Sequence, residues 1–304
     1  MPEPDHEVVV VGGGPTGTGV GVFTARYGLD TVVYDRGNAA LARAAFIENY
    51  PGFPGGIDVE TLTALFRDHL AEAGGDRRED LVESVERDDT GFRVTPADGE
   101  PVTARYVVAA AWYDASYLRA LDDGDEFFET HEHHGEEREQ LDRDLPNDDG
   151  STPVDGLYVA APTDGRNDQV AIAVGHGAHV ARTVLADLRR SEGFSGGVVP
   201  HYDWLRPDSE FTGEWADRDR WREWFDSELH GDDEVPAERI DDLRERYIDR
   251  AFATRLSEEE IAARRERGHR RLAEHLDSDV VLDAIDDEEI AAYLADGDAI
   301  GSNT

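Results

Sequence analysis

Gly12, Gly14 and Gly17 form a G-x-G-x-x-G pattern directly after the β-branched run 8–11, and Asp35 closes the next apolar run, about 20 residues on. The chemistry this spacing serves is the holding of a dinucleotide. Gly12 allows the tight turn, Gly14 lets a pyrophosphate approach the backbone, and Gly17 lets helix and strand pack closely. A helix that starts here offers free N–H groups and a partial positive charge to the pyrophosphate. A carboxylate at Asp35 would accept the ribose hydroxyls of an adenosine. Pro15 and Arg36 adjoin these residues and belong to the same candidate cofactor-binding set.

Histidines are the remaining chemical candidates. His176 and His179 are placed at the opening of a helix, where a neutral imidazole can move a proton; packing on a glycine-rich loop is the plainer alternative. His131, His133 and His134 with Glu129 and Glu136 offer ligand types that suit zinc or nickel. Their spacing is irregular and the segment reads as a solvated acidic loop, so no metal site is assigned. The chain contains no cysteine, which removes disulfides, thiolate metal sites, Cys nucleophiles and Cys-x-x-Cys redox chemistry.

The elements that must position these residues begin with a strand over 7–11, a helix over 16–28 and a second strand over 31–34, a β-α-β unit. Val59, Leu62, Leu65, Phe66 and Leu70 predict a helix over 58–73, with Asp58 as N-cap and Gly74-Gly75 as stop. Segments 81–86, 91–96 and 102–109 predict a small antiparallel meander leading into a buried strand over 106–111. Segment 119–153 is acidic and nearly free of aliphatic residues, a linker or excursion. A strand resumes over 156–160, and Val180, Val184, Leu185 and Leu188 predict a helix over 175–190.

Beyond about residue 197 the chain turns to Trp- and Arg-rich amphipathic helix. Trp204, Trp215, Trp221 and Trp224 read as the core of a small helical subdomain, with a partner surface as the alternative. A helix is predicted over 236–256; Ser257 with Glu260 is a capping box for the next, and Asp286 with Glu289 repeats the device. The fold class is therefore α/β, a Rossmann-like domain with a parallel sheet and a small antiparallel meander, plus a C-terminal α-helical region. Its segments are 1–118 and 154–197 for the nucleotide-binding domain, 119–153 for the acidic excursion and 198–304 for the helical region.

Sixty-nine acidic residues against 30 basic ones, all of them Arg, give a formal charge of −39. At about 1 M salt the Debye length is ~3 Å, and self-repulsion of this size is screened. Because the acids are spread along the whole chain, they read as the solvated surface of a halophile's protein. No basic stripe is present to neutralise phosphates, so nucleic-acid binding is not expected. The start, MPEPDHE, has no signal-peptide pattern, and no run of about 18 apolar residues occurs. A cytoplasmic protein with no membrane partner is expected, and a homo-oligomer is left open.

The stretch IENYPGFPGGID at 47–58 is similar to the VENYPGFP segment of the thioredoxin reductase family. The stretch GLYVAAPTDGRNDQVAIAVGHGAHVA at 156–181 resembles that family's closing FAD-binding segment, and ARYVVAAAWYD at 104–114 stands where the family has its Ala-Thr-Gly strand end. The resemblance covers residues 6–114 and 154–190. It implies a flavoprotein that binds FAD, with Asn49 near the flavin ring, Ala111 at the strand end, and Gln169 and Val170 at the ring's pyrimidine end. His176 or His179 would then serve the reduced ring, and the tryptophans could cover an exposed flavin face.

The departures are as informative. In the family an NADPH domain, with its own glycine fingerprint and the Cys-x-x-Cys pair, separates the two halves; here only 40 residues, 112–151, do so, with no second fingerprint. Asn38-Ala39-Ala40-Leu41 replaces Gly-Gly-Gln-Leu, Ala109-Ala110-Ala111 replaces Ala-Thr-Gly, and Ala161-Pro162 replaces the Gly-Asp whose carboxylate serves the flavin. Asp164 is the nearest substitute for that Asp. The expectation is a flavin-dependent oxidoreductase that is not a thioredoxin reductase in activity. Its electrons would come from a separate donor protein, a small reductant or transiently docked NAD(P)H. Two other readings stand beside it: a degenerate FAD fold acting as a scaffold or regulatory partner, and an NAD-binding dehydrogenase, which leaves residues 49–52 unexplained.

Overall fold

A run of consecutive valines with no polar alternation needs cover on both faces, the condition of a central parallel strand. In the computed structural model, Val8, Val9, Val10 and Val11 are at most 5% exposed. The structure describes residues 3–111, 115–124, 127–133, 136–160, 169–229 and 236–301. It divides into two units, Met1–Arg255 and Leu256–Thr304. The division falls inside the region 198–304 that the sequence suggests as one.

The first unit opens with β1 (His6–Val11), α1 (Pro15–Tyr27), β2 (Thr31–Tyr34), the short pair β3 (Phe46–Ile47) and β4 (Ile57–Asp58), α2 (Val59–Glu72) and β5 (Asp76–Arg78). It continues with β6 (Val82–Asp88), β7 (Gly91–Pro96), β8 (Val102–Ala109), β9 (Phe128–His133), β10 (Glu136–Leu141), β11 (Leu157–Val159), α3 (Val170–Glu192), α4 (Arg218–Glu228) and α5 (Ala237–Ala253). The main sheet runs β5-β2-β1-β8-β7-β6. Strand β8 divides its outer edge: residues 102–104 pair antiparallel with β7, and residues 107–109 pair parallel with β11. That arrangement joins the expected meander to the parallel sheet.

Side-chain alternation sends β1 in two directions. Val8 and Val10 pack with Val20 of α1 and Val180, Val184 and Leu185 of α3, while Val9 and Val11 pack with the meander residues Val85, Phe92 and Val94. The segment 119–153 is not an unstructured excursion. It holds the hairpin β9–β10, with Phe128 opposite Leu141. Phe127, only 5% exposed, joins the meander-side core, and Phe128, Leu141 and Leu145 pack against it. Aromatic residues at the hairpin's base supply the burial that its few aliphatics do not.

Within the first unit, α4 and α5 bring Phe225 and Leu243 against Phe194, Val198 and Val199. Trp221 and Trp224 are half-buried, with ring centroids 6.1 Å apart, and Trp224 lies 5.5 Å from Tyr247. Trp204 departs from the core reading, at 70% exposed. The second unit consists of α6 (Glu258–Ala273), α7 (Ser278–Asp283) and α8 (Asp287–Gly301). Ser257 and Glu260 form the reciprocal capping box. Asp286 caps α8 by accepting from the Glu288 N–H at 2.9 Å.

Where α1 ends, the ring of His201 stands edge-on to Tyr27 with centroids 4.8 Å apart. Burial first, and then Arg250 and Arg189, push its imidazole down to about 4. The unfolded chain takes up this proton near pH 6.5, so the contribution is intact above that pH and is lost as pH falls from about 6.5 to about 4. Urea unfolding at constant high KCl is expected to show stability dropping by about 2 kcal/mol over this window, a value discounted for partial solvent exposure. His201→Gln is expected to flatten that slope; an unchanged slope would show that His201 titrates normally in the fold.

Candidate functional site

The site is built where β1 stops. Gly12 has φ +119°, and a Cβ there would lie 2.7 Å from the Ala111 backbone nitrogen. Both the backbone conformation and the approach of Ala110 and Ala111, just beyond β8, therefore require glycine. A Cβ on Gly17 would collide with the Gly12 carbonyl oxygen, which is the close helix–strand contact the fingerprint calls for. Pro15 occupies the first position of α1, Gly14 is the N-cap without a side-chain cap bond, and no acidic residue stands in the first turn. The first N–H groups of a helix have no intrahelical acceptor, so this end is disposed to receive an anion.

Helix α3 reaches the same place because it crosses α1 almost in backbone contact. A Cβ on Gly177 would collide with the Thr16 carbonyl oxygen, and one on Gly19 would lie 2.6 Å from the Val174 carbonyl oxygen. The N-cap of α3 is Gln169, again without a side-chain cap bond and with no acidic residue in the first turn. Two helix N-termini are thereby brought to one cavity.

That cavity has a volume of about 880 Å³, within the roughly 300–1,000 Å³ usual for ligand sites. Gly12, Gly14 and Pro15 line it at the turn, and Asp35 and Arg36 at the end of β2. Asn49, Ala111, Gln169 and Val170 line it elsewhere. The Asn49 amide Nδ2 donates to Gln169 Oε1 at 2.6 Å, joining residues 120 positions apart. Gly17 lies behind the turn, and Asp164 falls outside the described residues, as do Ala161 and Pro162.

Asp35 is only 5% exposed and already has partners. Its Oδ1 accepts from the Gly37 N–H at 2.9 Å and its Oδ2 from Arg77 Nε at 2.9 Å, while Arg67 Nη2 stands 3.7 Å from Oδ2. Each carboxylate oxygen has two acceptor directions, so capacity for a hydroxyl donor remains. Arg77 was not foreseen from the sequence, because it lies on β5, whose residues Asp76, Arg77 and Arg78 carry no apolar signal. Its only clue is the conspicuous pair of arginines after a glycine stop. The apolar wall of Leu41, Ile47 and Val82 was likewise legible only as separate elements.

The histidines are displaced from their expected place. Helix α3 begins at Val170, five residues before the expected start, so His176 and His179 lie in its second and third turns and neither lines the cavity. At 1.5 Å per residue His176 is about 9 Å along the axis. His179 is exposed. The side chains of His131, His133, His134 and Glu136 lie outside the described residues.

No family model matches the chain. Over 116 residues it is 34% identical to the bifunctional thioredoxin reductase/thioredoxin of Mycobacterium leprae (strain TN), covering 38% of this chain and 25% of that protein. Over 115 residues it is 30% identical to the thioredoxin reductase of Aquifex aeolicus (strain VF5), covering 36% of each. The chain thus spans between a quarter and about a third of the length of these relatives. Among solved structures, a thioredoxin reductase from Gloeobacter violaceus superposes with a TM-score of 0.50 at 18% identity, covering 66% of this chain and 98% of that one, a likeness of fold. No helix among the described residues is long and apolar enough to cross a membrane. With its glycine turn, parallel sheet and meander arranged around this cavity, the chain is thioredoxin reductase-like in sequence over these segments and in fold.

Proposed function

We propose that the chain binds FAD and acts as an oxidoreductase that uses neither an NAD(P)H domain nor redox cysteines of its own, and so is not a thioredoxin reductase in activity. The observation that carries this reading is the convergence of the glycine turn, the N-termini of α1 and α3, Asp35 and the Asn49–Gln169 pair on one cavity. The residues fit the group. Side chains at Gly12 or Gly17 would destroy the cradle, and the first turn of α1 offers N–H groups to a pyrophosphate. Asp35 keeps acceptor capacity for a ribose hydroxyl. Asn49 and Gln169 present amide donors and acceptors to a polar ring edge, while Leu41, Ile47 and Val82 keep water from the cavity wall.

Bound FAD supplies the electron or hydride transfer. Reducing equivalents come from a separate donor protein, a small reductant or transient NAD(P)H. The acidic surface fits a halophile's cytoplasm, where salt screens the charge of −39. One observation favours a second reading, a non-enzymatic scaffold: the Asp35 carboxylate is already held by Arg77 and the Gly37 N–H.

A visible absorption spectrum separates the two. Protein purified in multimolar KCl, given FAD and desalted into the same salt, is expected to keep a flavin spectrum. A colourless protein would overturn the oxidoreductase reading and leave the scaffold.

A further inference from the structure

At the opposite end of α1 from the glycine turn lies a second, smaller cleft of about 70 Å³. It is roughly twice the ~30 Å³ that a water molecule occupies in the liquid, large enough for an ionic headgroup and too small for a nucleotide. Arg189 of α3, His201 and Arg206 of the following loop, and Tyr247 and Arg250 of α5 line it, with Trp204 at its edge. In a chain with 69 acidic residues, no Asp or Glu is among the described residues that line it.

Among the described residues, none of the three arginines of this cleft forms an ion pair with a carboxylate within 4.0 Å. Arg189 is 3% exposed and among the described residues donates to neutral oxygens, the carbonyls of Val198 and Val199 and the Tyr27 hydroxyl. Arg250 lies over the Tyr27 ring, 3.7 Å from its centroid, and donates to the Tyr27 carbonyl oxygen. Burial first, with Arg189 adding to it, pulls its guanidinium below the ordinary value in spite of the opposing charges of Asp203 and Glu192. Arg206 donates through its backbone N–H to the Thr254 carbonyl oxygen, and its guanidinium has no ion pair among the described residues. The nearest carboxylates are shared with other arginines: Asp203 holds Arg26 through two bonds and Glu192 binds Arg246 through Oε1 at 3.0 Å, while both also oppose the Arg250 charge from a distance.

Bringing guanidinium groups together out of water is unfavourable unless an anion compensates them. A carboxylate within the chain would be the simplest remedy in so acidic a sequence, and none faces the cleft among the described residues. We infer that the cleft formed by Arg189, His201, Arg206, Tyr247 and Arg250 binds a small oxyanion, a carboxylate or phosphate group supplied from outside the chain. Planar guanidinium forks match both headgroups. The exposed Trp204, at 70%, and Tyr202, at 59%, stand at the mouth, where they can cover an aromatic or aliphatic remainder of the ligand. The inference is independent of the FAD reading.

The test uses the full chain in KCl at constant ionic strength, with chloride replaced progressively by inorganic phosphate or by acetate. Trp204 and Trp221 line the cleft and report by fluorescence; the His201 ring proton reports by NMR. A saturable change in both signals is expected for at least one anion. Saturation by phosphate alone identifies a phosphate-type ligand, and saturation by acetate alone a carboxylate. Arg206→Gln is expected to weaken the apparent affinity at least about tenfold, the loss of one charge-assisted bond. Its unfolding midpoint should not move, since the Arg206 guanidinium makes no hydrogen bond or ion pair among the described residues. Arg93→Gln, on the distant meander, removes the same charge and is expected to leave the affinity unchanged. A linear response to both anions, or equal responses from Arg206→Gln and the unsubstituted protein, would overturn the inference.

Discussion

Gly177→Ala is expected to lower the melting temperature by about 4–8 °C, whereas Gly175→Ala, two positions earlier in the same helix, is expected to raise it by about 1–4 °C. Glycine to alanine inside a helix is favourable by roughly 0.5–1 kcal/mol when the new methyl meets nothing. At Gly175 it meets nothing within 4 Å. At Gly177 the same methyl would enter the Thr16 carbonyl oxygen, and α1 and α3 must separate to admit it. Overpacking of this kind costs about 1–3 kcal/mol, more than the propensity gain. Because the displaced turn of α1 is the one that begins at the glycine cradle, Gly177→Ala should also reduce retention of added FAD. Circular dichroism melts at constant KCl check the stabilities, and shifts of the same sign for both variants would contradict the described crossing.

Arg77→Met is expected to destabilise the fold by about 3 kcal/mol. The Asp35 side chain is 8% exposed, and Arg77 at 2.9 Å is its direct cationic partner. A Cβ on Gly13 would overlap the Asp35 side chain, so the carboxylate is confined against the turn and has little freedom to swing toward water. Removing Arg77 leaves Arg67 at 3.7 Å as the nearest remaining charge. Salt screens surface pairs far more than a buried pair of this kind, so the loss should persist in high KCl. Asp35→Asn combined with Arg77→Met is expected to recover most of it, since the uncompensated charge is gone. Urea unfolding of the two single variants and the double variant measures the coupling, and strict additivity would show that the pair carries no interaction.

The parts of this fold that could be read from the chain are those whose signals are local. The valines at 8–11, the spaced glycines and Asp35 lie within a short stretch, and the structure places them as strand, turn and strand end. Asp58 accepts from the Thr61 N–H at 2.8 Å as the cap of α2, and Ser257 with Glu260 caps α6, both set by neighbours three residues apart. Strand β5 was illegible because its charged residues are extended only through pairing with β2, some 44 positions earlier. The hairpin β9–β10 was hidden for the same reason, its strands being mostly Glu, His and Arg. At the cavity, the sequence pointed to Asn49 and Gln169 separately, but their mutual bond is a product of chain folding. The histidines were misplaced because α3 begins without a capping residue to announce it.

The bare N-terminus of α1 also bears on how freely this chain can change its composition. Roughly half an elementary charge accumulates at such an end from the alignment of peptide units, whatever side chains the helix carries. Part of the positive potential at the cradle is therefore written in the backbone path, beside what Arg36 contributes as a side chain. Acid after acid can accumulate on the surface without dismantling this helix end, the part of the site proposed to receive a pyrophosphate. Recognition there is set by glycine positions, which are few and sterically fixed, while the charge of the remaining surface is free to follow the solvent.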